Sequence, residues 1–170
     1  MPESSLIEQV EAQFVVKWGI FRPQFQDWPA QIKRTLQDLE LWLEGESVVH
    51  LQLEHAVGDE SFGFVEDATE LSAFLLTDRF AVLVVIPREG GLFRPHVRYQ
   101  VRRSALSDLE TTLPQLRGLF EGLTFDLAYD GLPRKIQIKL ADLRSGQPDY
   151  EAEKSFFAML RDDLYTNPTR

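Results

Sequence analysis

The chain contains no cysteine. That excludes disulfides, thiolate zinc sites, iron–sulfur clusters and a cysteine nucleophile, and it fits a reducing, cytoplasmic setting. Histidine is scarce too, since His50, His55 and His96 are the three in the sequence. His50 and His55 differ by an odd number on one expected strand and so point to opposite faces, and no serine stands in a Gly-x-Ser-x-Gly elbow. A Ser–His–acid triad is therefore not indicated. Long apolar runs are missing: the longest, Phe80 to Ile86, is far below the ~20 residues that cross a bilayer as a helix. Glu3, Glu8 and Glu11 occupy the region where an export signal carries basic and then apolar residues. These absences predict a soluble protein with no membrane partner.

Phosphate-binding loops are absent as well. Gly58-Asp59-Glu60-Ser61-Phe62-Gly63 places two acids where phosphates would lie, no Walker lysine follows, and Gly90-Gly91 leads toward a strand. The densest acidic cluster, Asp59, Glu60, Glu66 and Asp67, lacks the spacing of an EF-hand and reads as a solvated loop. No metal and no cofactor is implied. Paired carboxylates for glycoside chemistry are not singled out by abundance alone, because their separation is a property of the fold. A net charge of -9 repels nucleic-acid phosphates, so nucleic acid is not an expected partner.

What is present is enough for a core. The chain has 170 residues, of which 44% are hydrophobic, with twelve Phe, three Trp and four Tyr. Ser5 and Glu8 form a capping box before a helix expected to run to about Lys17, and Trp18 to Gln26, with Pro23, breaks it. Asp27 and Pro29 open a second helix whose stripe is Ile32, Leu36, Leu39 and Leu43, closed by Gly45. From Val49 the period becomes two, with Val49, Leu51 and Leu53 on one face. Leu71 to Leu76 and Phe80 to Ile86 read as a hairpin turning at Thr77, Asp78 and Arg79. Its second strand, apolar on both faces, is expected to be central and to end at Pro87.

After a reversal at Gly90-Gly91, Pro95 to Arg103 alternates, with Pro95, Val97, Tyr99 and Val101 inward. Ser104 is placed to cap a third helix through Leu106, Leu109 and Leu113, interrupted at Pro114 and ended by Gly122. A second hairpin follows, with Phe125, Leu127 and Tyr129 alternating, a turn at Asp130-Gly131, and Ile136, Ile138 and Leu140 returning. A last helix carries Tyr150, Glu153, Phe156, Phe157, Leu160 and Leu164 on one face, before a tail expected to fray from Thr166. The fold class is α+β: one domain with an antiparallel sheet of about four to six strands, flanked by helices at both ends of the chain.

Charge is segregated along this pattern. Thr35 to Asp78 holds eleven acids and no Lys or Arg, whereas Arg79 to Arg103 holds six Arg against Glu89 alone. The alternation puts Arg94, His96, Arg98 and Arg102 in one row, and Lys135 and Lys139 share a face of their own strand. These six are the candidates for binding an anion or an acidic partner. The competing expectation is that acids of the 35–78 segment neutralise them across the sheet. Trp18, Phe21, Phe25 and Trp28 form an aromatic cluster, read first as core packing and otherwise as a homodimer interface.

No family motif stands out. In element order the chain is similar to the small acidic dimeric chaperones of bacterial type III secretion and to related sensory-regulator domains. It departs from that order by an additional N-terminal helix and by the strand from Pro95 to Arg103. The leading expectation is a non-enzymatic, cytoplasmic, homodimeric module that binds another protein or an acidic segment through a sheet face or edge. A small-ligand sensory domain holding an anion on the Arg row stands second, and an enzyme of unidentified type third.

Overall fold

Leu36, Leu39 and Leu43 recur at helical spacing, and in the computed structural model they are all buried along one side of a helix, α1 (Ala30–Trp42), and the turn that ends it. The structure describes Leu6 and residues 30–43, 45–57, 68–112, 124–139 and 150–167. Outside these residues lie most of the helix expected at Ser5–Lys17, the aromatics Trp18, Phe21, Phe25 and Trp28, the acidic loop from Gly58 to Asp67, and the segment around Pro114. Gly45, at φ 82°, lets the chain leave α1, since that backbone region disfavours residues with a Cβ.

The fold is α+β, with two helices and antiparallel sheets of five and three strands among the described residues. The chain falls into two compact units, Met1–Tyr99 and Gln100–Arg170. In the first, β1 (Val48–Val57), β2 (Ala68–Thr77), β3 (Phe80–Glu89) and β4 (Leu92–Phe93) pair in that order, and β5 (Val97–Arg102) also pairs with β3. The chain passes into the second unit within β5.

The β2–β3 hairpin forms as its sequence predicts. Thr77 is fully buried, and its Oγ1 accepts from the backbone N–H groups of Phe80 (3.0 Å) and Arg79 (3.3 Å), which fixes the turn. Register then sorts the faces: Leu71, Leu75, Val82, Val84 and Ile86 join Leu36, Leu39, Leu43 and Leu51 in one core cluster, to which Leu6 also belongs. Phe74, Leu76, Ala81 and Leu83, on the opposite face, are buried too. As expected, β3 is covered on both sides. It does not end at Pro87, however. It runs on to Glu89, where its pairing passes from β2 to β4, a position at which a missing N–H is tolerated.

Two strand faces depart from strict alternation: Pro95 and Val97, expected inward, are exposed, Val97 by 45% at the first residue of β5, and β1 displaces a side chain as well. Val49 is 42% exposed because a bulge between Val48 and His50 turns it out of the ladder, leaving Leu51 to point into the core.

In the second unit the expected third helix is replaced. Arg103–Ala105 makes a single 3-10 turn, and Leu106–Thr112 is a strand, β6, pairing with β7 (Thr124–Tyr129), which pairs with β8 (Ile136–Lys139). The cause is another bulge. Leu106 opposes Tyr129 and Leu109 opposes Leu127, and the extra residue between Leu106 and Asp108 brings two leucines three apart onto one face. Spacing that looks helical is here strand spacing plus one.

The β7–β8 hairpin matches its sequence, with burial alternating along β7 and Gly131 at φ 97°. A Cβ at Gly131 would also meet Val101 Cγ1 at 2.9 Å, so the position is fixed twice. Against this sheet α2 (Tyr150–Tyr165) packs Leu160 and the rings of Phe156 and Phe157, which lie 6.5 and 5.8 Å from the Phe125 ring. Of the tail expected to fray from Thr166, the two described residues are held: Thr166 Oγ1 donates to the Asp163 carbonyl at 3.0 Å, and Asn167 is buried with its Nδ2 donating to the Leu106 carbonyl at 2.9 Å.

Candidate functional site

Of the basic row, Arg94, His96 and Arg98 belong to the first unit, where β5 pairs with β3. Arg94 donates from Nε to Glu89 at 3.1 Å, but both side chains are more than half exposed, so the pair contributes ~0–1 kcal/mol. His96 is half-buried, with Nδ1 at 3.1 Å from Thr35 Oγ1. The single hydroxyl proton of Thr35 goes to the Gln31 carbonyl at 2.8 Å. Neutral His96 therefore carries its proton on Nδ1 and donates it to Thr35, leaving the lone pair on Nε2.

Arg98 is held differently. Its guanidinium lies 4.5 Å from the centroid of the Trp42 ring, at the end of α1. The ring quadrupole and the negative helix C-terminus both favour a cation there, the first by about 0.5–1 kcal/mol at an exposed site. Arg98 is exposed, and among the described residues no carboxylate pairs with it.

Trp42 belongs to an aromatic floor. Its ring meets Phe80 at 6.0 Å, and Trp42, Phe80 and Phe93 all pack on the rim of the core cluster. Each ring carries an arginine: Arg98 over Trp42, Arg79 over Phe80 at 5.4 Å, and Arg88 over Phe93 at 5.3 Å. Arg88 also donates to the Gly91 carbonyl at 3.1 Å. Arg79 holds Glu46, to which its Nε donates at 2.6 Å and its Nη2 closely as well. That hydrogen bond holds the Glu46 carboxyl below the usual range, against the opposing effect of burial, and raises the Arg79 guanidinium in turn.

The remaining candidates fall in the second unit. Arg102 is exposed in β5. Lys135 precedes β8 and reaches Asp108 (3.3 Å) and Glu110 (3.4 Å) of β6, which raise its ammonium pKa. Lys139 is placed by its backbone opposite Thr124. Acids do neutralise part of the basic set, yet of these pairs only Arg79–Glu46 draws on the 35–78 segment.

Sequence reasoning passed over two features. Arg103 and Asp163 form a two-point ion pair, Nε to Oδ2 at 2.9 Å and Nη2 to Oδ1 at 3.0 Å, with side chains only 13% and 14% exposed. No local signal joins residues sixty apart. His50 lies in β1 opposite Leu76, where burial pushes its pKa down to about 4 despite a hydrogen bond with Gln52. Alternation puts it on the face opposite Leu51, and that face is covered as well, since Phe74, Leu76, Ala81 and Leu83 there are buried.

Two further properties bear on function. Among the described residues β1 pairs only with β2, in regular register from His50 to Ala56, and it contains no Lys, Arg or Pro. A depression of about 970 Å³ runs along α1, lined by residues between Ala30 and Leu41; it is open and does not include Arg98. Among the described residues no group of His, Asp and Glu is arranged to hold a metal, and no helix is long and apolar enough to cross a membrane.

No protein-family model matches the chain, and no curated protein does. The crystal structure of a DUF1696 family protein with a pleckstrin-homology domain, from Shewanella loihica PV-4, is similar to it at 14% sequence identity and a TM-score of 0.35. That alignment covers 75% of this chain and 92% of the other. A likeness of that degree carries no argument about the site.

Proposed function

We propose that this chain is a non-enzymatic, cytoplasmic binding module that receives a strand-forming segment of another protein along β1. The observation that carries the reading is the β1 edge, ten residues long with one strand neighbour among the described residues. Such an edge presents a row of backbone donors and acceptors, and proteins that avoid pairing there blunt it with Lys, Pro or short length. β1 has none of these; the irregularities in its pairing with β2 lie toward its two ends and leave the ladder between them regular. Glu54 is the single acid or base in the strand apart from the histidines, so an incoming segment meets little charge. A second copy of the chain, carrying the same charge of -9, is the less favoured occupant because the two bodies repel.

The test is amide hydrogen exchange on the complex purified with its native partner. Residues 48–57 are expected to gain protection, and Val49→Lys, at an exposed position, is expected to weaken the complex by about tenfold. Protection confined to other elements, or unchanged affinity in Val49→Lys, overturns the reading. A concentration-dependent dimer abolished by the same substitution would instead assign the edge to a second copy.

A further inference from the structure

The three arginines over the aromatic floor end differently. Arg79, over Phe80, presents its N–H edge to the Glu46 carboxylate. Arg88, over Phe93, presents its Nε–H to the Gly91 carbonyl. Arg98, over Trp42, has the closest ring contact of the three and no acceptor among the described residues. A guanidinium held over a ring loses part of its rotational freedom, while its five N–H donors lie at its edge, where a planar anion can accept from them. The Arg79–Glu46 contact shows, on the neighbouring ring, which group such an edge takes.

We infer that Arg98, braced on Trp42, is a binding site for an external carboxylate, received at its N–H edge as Arg79 receives Oε1 of Glu46. The chemistry is that of a carboxylate accepting from neighbouring N–H donors of one guanidinium, and the contact with the Trp42 ring removes part of the ordering entropy that a free arginine side chain loses on binding. Exposure of Arg98 leaves the approach open, and the acids of the chain make the ligand a group competing at one cationic point rather than one attracted by the whole body. The carboxylate comes either from a free dicarboxylic acid or from an acidic peptide segment. This site is independent of the β1 edge and stands or falls separately from it.

The test follows the Arg98 side-chain Nε–H signal of the full, ¹⁵N-labelled chain, assigned by its loss in Arg98→Lys. Three probes are titrated: glutarate, an acetylated and amidated hexaglutamate peptide, and inorganic phosphate, with a hexaglutamine peptide as control. Glutarate or hexaglutamate is expected to move the Arg98 signal saturably, with affinity falling as salt rises. Arg98→Gln is expected to lose about tenfold or more in affinity, and Arg94→Gln less than about twofold, since Arg94 already pairs with Glu89. Trp42→Leu, checked for folding by circular dichroism, is expected to weaken binding while Arg98 remains present. A response to glutarate identifies a free acid, and a response to hexaglutamate alone identifies an acidic segment; both support the site. An Arg98 signal unmoved by either carboxylate, a response to phosphate alone, or equal affinity in Arg98→Gln overturns it.

Discussion

His50 is a titratable residue held where its charged form is disfavoured. It sits on a strand beside Leu76, and burial lowers its pKa from 6.5 to about 4. In the unfolded chain the imidazole takes up its proton near its ordinary pKa, so between about pH 6.5 and 4 the unfolded state binds more protons than the folded one. Stability from neutral His50 is full above pH 6.5 and is lost as pH falls toward 4, by about 3 kcal/mol at most. Urea unfolding at pH 7.5 and pH 5 is expected to show a larger loss for the wild type than for His50→Leu. Equal losses would mean that the ring is solvated.

At the scale of elements, two bulges explain the departures from sequence periodicity at Val49 and at Leu106 and Leu109, while the exposure of Val97, in β5, involves neither of them. At Val49 an extra residue turns out of the ladder a side chain that alternation assigns to the core. At Ser107 an extra residue makes Leu106 and Leu109 share a face, so a strand carries helical spacing. Ser107 Oγ donates to the Ala128 carbonyl at 3.1 Å, bonding to the backbone of the neighbouring strand beside that bulge. A bulge adds one residue without a composition of its own, so period counting passes over it.

The same unit depends on the Arg103–Asp163 pair to fasten the last turn of α2 to the start of β6. Asp163 lies near a helix C-terminus, where a negative charge is disfavoured unless a cation answers it. Arg103→Met alone leaves a carboxylate in a mostly buried place and is expected to cost about 3 kcal/mol, whereas Arg103→Met with Asp163→Leu is expected to recover most of that. Chemical denaturation of both variants checks this. A double variant as unstable as the single would show that the pair does more than cancel its own charges.

For the whole molecule, segregated charge along the sequence becomes local pairing in space. Arg79 meets Glu46, Arg94 meets Glu89, Arg103 meets Asp163, and Lys135 meets Asp108 and Glu110. Most of the surplus of acid over base is left to repel itself. Added salt is therefore expected to raise the thermal midpoint at neutral pH by screening, and solubility to be lowest near pH 4.8, measured by light scattering. A midpoint that falls with salt would show that ion pairs outweigh self-repulsion.

The sequence by itself determined the elements whose signals are local. The α1 stripe, the Thr77 turn, the doubly buried β3 and the β7–β8 hairpin follow from periods of a few residues and from turn chemistry acting on neighbours. Tertiary structure decided what depends on residues far apart in the chain. Whether an arginine is neutralised is settled by Glu46, thirty-three residues before Arg79, or by Asp163, sixty after Arg103. The row of basic residues was legible as a pattern, but the bracing of Arg98 on Trp42 was not, because that contact joins a strand to the end of a helix through folding alone.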